Sequence, residues 1–209
     1  DNVMRLWDAG SGKQIKQYKK DFENLFEVNF SPDGNTIATN AMGTLVTWNK
    51  ATGIKTHQYV RFRSNNKPKF SKNGSYMASG GIGKLVVWDI DSKKEHLVIE
   101  EENIGALGFA FSPDSRFFAT GTRSDVIKLW DLSDGELFKT FYNYSNPISA
   151  IAVSPPSAKL GKKGYFAFAA DDETIKIWDI DQMKKVSSFT LNSKDVTFIT
   201  FNRNGHYLA

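Results

Sequence analysis

Five short runs along the chain alternate apolar with other side chains and end on tryptophan followed by Asp or Asn. They are Leu6-Trp7-Asp8, Thr47-Trp48-Asn49, Val87-Trp88-Asp89, Leu129-Trp130-Asp131 and Ile177-Trp178-Asp179. One and three positions before each Trp stand Leu6 and Met4, Thr47 and Leu45, Val87 and Leu85, Leu129 and Ile127, Ile177 and Ile175. The position between is Arg5, Val46, Val86, Lys128 or Lys176. A period of two puts the first set on one face of a strand and the Trp with its neighbour on the other. A turn follows, as in Ala9-Gly10-Ser11-Gly12, Ala51-Thr52-Gly53 and Ser133-Asp134-Gly135, and then a more polar strand such as 13–18. Successive tryptophans lie 41, 40, 42 and 48 residues apart. A near-constant period of about 40 residues means that one supersecondary unit is copied along the chain.

A turn signature runs in step: Phe30-Ser31-Pro32-Asp33-Gly34, Phe70-Ser71-Lys72-Asn73-Gly74 and Phe111-Ser112-Pro113-Asp114-Ser115. Weaker copies are Val153-Ser154-Pro155-Pro156 and Phe201-Asn202-Arg203-Asn204-Gly205. Pro presets φ at the first turn position, while Asp or Asn and then Gly reverse the chain. A small apolar run follows each copy, at 36–39, 76–79, 117–120, 165–168 and 207–209, with the length and composition of a strand. Each unit therefore reads as four short antiparallel strands.

The paired markers resemble the WD-repeat family, whose units are the four-stranded blades of a β-propeller. The resemblance covers the whole chain and implies an all-β fold in which Trp7, Trp48, Trp88, Trp130 and Trp178 are structural. The repeats are degenerate. The family's Gly-His pair is replaced by Lys20-Asp21, Val60-Arg61, Glu101-Glu102, Asn143-Tyr144 and Leu191-Asn192. In the family that His joins a buried relay with an Asp six residues before the Trp. Asp1 and Asp172 match the Asp position, Ser124 stands there in a third unit, and the relay is complete in none. Stability is then expected to rest on apolar packing between blades. The expected division is a half-blade 1–20, blades 21–60, 61–100, 101–142 and 143–190, and a half-blade 191–209. A larger ring, seven-bladed as is most common in the family, is the expected setting; the alternative is that the half-blades pair and close a five-bladed ring.

The net charge of +4 is no evidence of nucleic-acid binding; lysines and arginines are scattered, apart from concentrations at 13–20 and 61–72, and read as solvated strand edges and loops. With no Cys there is neither a disulfide framework nor a thiolate metal site, which fits a reducing, intracellular compartment, cytoplasmic or nuclear. No run approaches the ~20 apolar residues of a membrane helix. Six extra residues fall in the loop 155–164, where insertions cost little, and Pro68 is tolerable because its strand is an edge lining the central channel.

The search for chemistry is short. His57, His96 and His206 fall at unrelated positions, so no metal is expected. The acidic clusters 100–102 and 171–173 read as solvated turns in strand-connecting loops, with Asp172 bonding its own loop. Gly80-Gly81-Ile82-Gly83 reads as a tight connection between strands, without the helix that a phosphate cradle needs. No cofactor and no catalysis are expected. Recognition remains. The loops from fourth to first strand and from second to third should gather on one face, where they carry Phe22, Arg61, Phe62, Arg63, Arg123, Asp125, Tyr144 and Asp171. Aromatic and Arg side chains on a rigid frame are the kinds that dominate binding energy. The resemblance implies a non-catalytic platform for proteins or peptides in a multi-subunit assembly. One alternative is a phosphate-recognising module, in which Arg61, Arg63 and Lys67 take a phosphopeptide, a phosphoinositide or an RNA backbone. Another is the targeting propeller of an enzyme whose catalytic domain lies outside this chain.

Overall fold

The computed structural model describes residues 3–18, 25–41, 44–59, 68–81, 83–100, 109–121, 126–142, 148–155, 164–170, 173–191, 196–202 and 204–209. Every regular element among them is a strand. β1 (Arg5–Trp7) and β2 (Gln14–Gln17) form a two-stranded sheet. Four antiparallel sheets of four strands follow. The first is β3 (Leu25–Phe30), β4 (Thr36–Ala41), β5 (Thr44–Asn49) and β6 (Lys55–Gln58). The second is β7 (Lys69–Phe70), β8 (Tyr76–Gly81), β9 (Lys84–Asp89) and β10 (Glu95–Glu100). The third is β11 (Phe109–Phe111), β12 (Phe117–Gly121), β13 (Ile127–Asp131) and β14 (Glu136–Phe141). The fourth is β15 (Ile148–Val153), β16 (Tyr165–Ala170), β17 (Thr174–Asp179) and β18 (Lys184–Thr190). Each is an up-and-down meander, the sheet of a propeller blade. Within 196–209 the described residues hold one isolated bridge, Phe201 to Leu208.

The recurring turns are local hydrogen-bond devices. Ser31 Oγ donates to Asp33 Oδ1 at 2.5 Å and accepts Thr36 N–H at 2.9 Å, while Gly34 N–H reaches Ser31 O at 2.8 Å. Gly34 sits at φ +68°, a conformation that L side chains seldom adopt. Ser71 and Ser112 repeat the arrangement, Ser115 taking the left-handed place of the glycine at φ +60°. In the fourth sheet Ser154 Oγ still accepts Tyr165 N–H, at 2.7 Å. The six extra residues therefore leave and return without disturbing the strands they join.

The residue after each Trp has an equally plain role. Asp8, Asn49, Asp89, Asp131 and Asp179 each accept a backbone N–H two or three residues on, at 2.7 to 2.9 Å. Only a short side chain with an acceptor oxygen folds back in this way, which explains the Asp or Asn. The Trp is held differently. Thr39 lies two residues beyond Ile37, the register partner of Trp48, and its Oγ1 accepts Trp48 Nε1–H at 3.0 Å. Thr120 does the same for Trp130 at 3.1 Å. The equivalent place in the fourth sheet holds Phe168, and Trp178 Nε1 is buried there without a partner among the described residues.

Packing joins the sheets face to face. The four central residues of β5 and of β9 are buried on both faces, as is all of β12. Eleven residues after Trp7, Trp48, Trp88 and Trp130 stands a side chain that packs on the next sheet. Tyr18 meets Trp48 edge-on at 6.3 Å, Tyr59 lies 5.1 Å from Trp88, and Phe141 lies 5.2 Å from Trp178. Ile99 fills the place at the remaining junction, in a cluster with Leu132 and Phe118 on which Trp130 packs. Burial raises the hydroxyl pKa of Tyr59 above the ordinary phenol range.

A second recurrence lies eight residues after each Trp. The register between third and fourth strands skips Ile15, Thr56, His96, Phe138 and Val186 in turn, a β-bulge in all five units. Bulges twist an outer edge away from pairing with another chain, so these exposed fourth strands can carry Ile15 and Val186. Two details differ from the sequence reading. Gly80 and Gly81 belong to β8 itself, because a Cβ at Gly80 would meet Leu85 Cα at 2.7 Å and only glycine fits. Glu100 ends β10 and pairs with Lys84 at 2.7 Å across the sheet, and so is not a loop residue.

Four outcomes are expected. Tyr59→Ala, which empties a buried contact on Trp88, should lower the unfolding free energy by about 3–5 kcal/mol in urea titration. Truncation of exposed Val186 should change it by less than about 0.5 kcal/mol. Thr39→Val keeps the shape but orphans Trp48 Nε1, and should cost about 1–3 kcal/mol in the same assay. Hydrogen bonds from Ser92 hold the Asp89 carboxyl below the usual carboxylate range. At Asp131 desolvation acts upward but is outweighed by Ser133 and Arg116, so its carboxyl is lowered too. Their stabilisation is complete above the ordinary Asp pKa and is lost as pH falls through the lowered values. Asp131→Asn should accordingly flatten the acid limb of a stability-against-pH curve.

Candidate functional site

The first strands β3, β7, β11 and β15 are edge strands of their sheets and stand beside one another. Residue for residue, Asn29, Lys69, Ala110, Ala152 and Thr200 are equivalent, each preceding the residue that opens a first turn. Asn29 Nδ2 donates to Pro68 O at 3.0 Å, and Lys69 Nζ donates to Phe109 O at 2.7 Å. Each bond reaches the carbonyl one residue earlier in the neighbouring first strand. Pro68 thus contributes the group it still has, its carbonyl, at the edge of its sheet. Where alanine occupies the place, the junction is closed by apolar packing around Ile151, Val153, Phe117 and Phe166.

Between these strands and residues 198–201 lies a cleft of about 390 Å³. Phe70, Phe111, Ile151, Phe198 and Phe201 supply apolar walls, and Asn29, Lys69 and Lys72 supply polar groups. The Lys69 ammonium also lies 4.8 Å from the centre of the Phe109 ring. Burial lowers its pKa below the ordinary ammonium value. Among the described lining residues there is no carboxylate. Sequence reasoning counted Lys69 and Lys72 within a solvated basic stretch. The signal that separates Lys69 is register, because it stands one residue before Phe70 as Asn29 stands before Phe30.

A second groove, of about 380 Å³, lies where the two-stranded sheet meets the first full one. Leu6, Ile15, Lys16, Phe30 and Lys50 line it, and Lys16 Nζ donates across the junction to Ala51 O. Tyr18 Oη donates to Lys50 O at 3.1 Å nearby.

Of the residues singled out from sequence, Trp48 and Trp88 are buried, Trp130 and Trp178 half-buried, and Trp7 exposed at 55%. Phe22, Arg61, Phe62, Arg63, Arg123, Asp125, Tyr144, Asp171 and Asp172 all lie outside the described residues. The strands flanking them are described: the connections run between β2 and β3, β6 and β7, β12 and β13, β14 and β15, and β16 and β17. In an antiparallel meander these strand ends fall at one end of every sheet, opposite the Ser and Asp turns. His96 Nε2 contacts Leu132 O at 2.8 Å across a junction, and His57 packs against Tyr59 at 4.6 Å. Among the described residues no three His, Asp or Glu side chains converge as metal ligands would, and no helix is long and apolar enough to cross a membrane.

Comparison with known proteins agrees with this geometry. Residues 98–131 and 135–179 match the model of the WD domain, G-beta repeat. Each match begins in or just before a fourth strand, β10 or β14, and ends on the Trp-Asp of the following sheet, so the sequence repeat is staggered against the structural blade. The chain is 28% identical over 110 residues to pre-mRNA-processing factor 19 homolog 2 of Arabidopsis thaliana, covering 53% of this chain and 19% of that protein. It is 26% identical over 196 residues to THO complex subunit 3 of the same plant, 89% of this chain and 58% of that one. It is 26% identical over 212 residues to nuclear distribution protein nudF of Aspergillus niger, 100% of this chain and 39% of that one. The chain thus spans less than two thirds of the length of each of these relatives. With the repeated Trp-Asp strands and blade-like sheets, these matches support a WD-repeat family for the chain.

Proposed function

We propose that the chain is a non-catalytic interaction platform, a part of a propeller that presents loops to a protein or peptide partner within a larger assembly. The observation that carries this reading is the set of junctions: the residue eleven after Trp7, Trp48, Trp88 and Trp130 packs its sheet on the next. A frame fixed in this way holds the loops between fourth and first strands in a constant relation, and preorganisation lowers the entropy lost on binding. The relatives are in keeping with it, one of them being named as the subunit of a complex. We read 21–60, 61–100, 101–142 and 143–190 as the blades, and Phe22, Arg61, Phe62, Arg63, Arg123, Asp125, Tyr144 and Asp171 as the partner-facing set. The cysteine-free composition fits an intracellular setting.

The double variant Phe62→Ala, Arg63→Ala should weaken partner capture by about 2 kcal/mol or more, a hot-spot loss, with an unchanged thermal midpoint. Quantitative affinity capture with the tagged chain and calorimetric melting of both proteins measure the two quantities. A lowered midpoint would make these residues structural and overturn their assignment to binding. Capture that survives about 0.5 M salt would set aside a phosphate ligand for Arg61 and Arg63, because such contacts release counterions and are screened.

A further inference from the structure

The cleft between the first strands combines three features that no junction between sheets requires. Its walls are aromatic and aliphatic, from Phe70, Phe111, Ile151 and Phe201. Two lysines line it, while none of its described lining residues is acidic. Among the described residues Lys69 is held in place by one hydrogen bond from its ammonium, to Phe109 O at 2.7 Å, with the Phe109 ring 4.8 Å away. An ammonium has three donors, so two remain beyond that bond. A half-buried cation facing apolar walls is poorly compensated, and an incoming carboxylate would form a short charge-assisted bond with it. The inner strands also end their sheets, so backbone groups of β3, β7, β11 and β15 border the cleft. Edge-strand backbone suits a ligand that has a peptide backbone of its own better than it suits an alkyl chain. A volume of about 390 Å³ lies within the range of small binding pockets.

We propose that this cleft binds a linear peptide in which Asp or Glu stands beside an aromatic or large aliphatic residue. The carboxylate meets Lys69, with Lys72 at the exposed rim, and the apolar side chain enters between Phe70, Phe111 and Phe201. The site is separate from the loop residues of the preceding section and uses none of them.

Fluorescence anisotropy on the full chain tests it with three labelled octapeptides that differ at two central positions: Glu-Phe, Gln-Phe and Glu-Ala. Glu-Phe should bind at least about tenfold more tightly than either of the others, the scale of one hydrogen bond to a charged group. Lys69→Met should bind Glu-Phe and Gln-Phe equally while melting no lower than the parent, since a buried charge has been removed. Lys72→Met, at an exposed position where folding is not at stake, should narrow the Glu-over-Gln preference about twofold, as expected of a rim charge. The Phe62→Ala, Arg63→Ala variant should keep full affinity for Glu-Phe. Equal binding of all three peptides by the parent would overturn the proposal, as would a preference for Glu that survives in Lys69→Met. Loss of Glu-Phe binding in the loop variant alone would move the peptide to the loop face, sinking the cleft site and leaving the platform reading intact. Displacement of Glu-Phe by dodecanoate, with no discrimination among the peptides, would assign the cleft to a free acid and overturn the peptide.

Discussion

Third strands that are apolar on both faces impose the architecture. A sheet with one apolar face can leave the other to water, but β5 and β9 are buried on both sides and need a neighbouring sheet on each. No unit can satisfy this alone, which is why the pattern is repeated and why sheets stack face to face. The neighbour's contribution can be seen within one chain. Trp48, covered by Tyr18, is 2% exposed.

The parts of this fold that could be read from sequence are those decided by local chemistry. A turn closed by Ser31, Asp33 and Gly34, or a Trp followed by a folding-back Asp, needs specific atoms, and so the residue types recur. The bulge eight residues after each Trp and the contact eleven after it escaped notice for the opposite reason. Bulging asks only for an extra residue, here Ile, Thr, His, Phe or Val, and the contact asks only for bulk, here Tyr, Tyr, Ile or Phe. Identity varies while position is constant, so the signal lies in register rather than in composition. Phe168 shows the limit of the local rule: an aromatic in the hydroxyl's place stacks in the core and leaves the Trp178 donor unsatisfied. The loop residues put forward for binding lie outside the described residues, so their assignment rests on topology, which fixes the strand ends they connect.

The division of labour within each unit follows from the same constraint. The third strands β5 and β9 and the second strand β12 are closed to change by burial on both faces. The Ser and Asp turns are closed by their hydrogen bonds. What remains open is the fourth strand, whose outer face is solvated, and the connections at the other end of the sheets. Ser154 and Tyr165 keep their pairing although six residues are added between them. A frame of this kind lets recognition diversify without disturbing the core, and it explains how relatives only 26–28% identical share the repeat.

The first strands are where frame and recognition meet. At the position of Asn29, Lys69, Ala110 and Ala152, four equivalent junctions have three solutions. Asn29 shows that a neutral amide can bridge to the next strand, and the alanines show that no bridge is needed where Ile151 and Val153 pack instead. A lysine bridges as well, but it brings a positive charge into partly buried surroundings, and burial pulls its pKa down. Stability alone favours the amide or the alanine at this place, because a charge removed from water without a counter-ion opposes folding. The charge of Lys69 is therefore surplus to the junction. It lies in the wall of a cleft that joins the aromatic surface of Phe70, Phe111 and Phe201 to two cations, where a carboxylate would give that charge a partner.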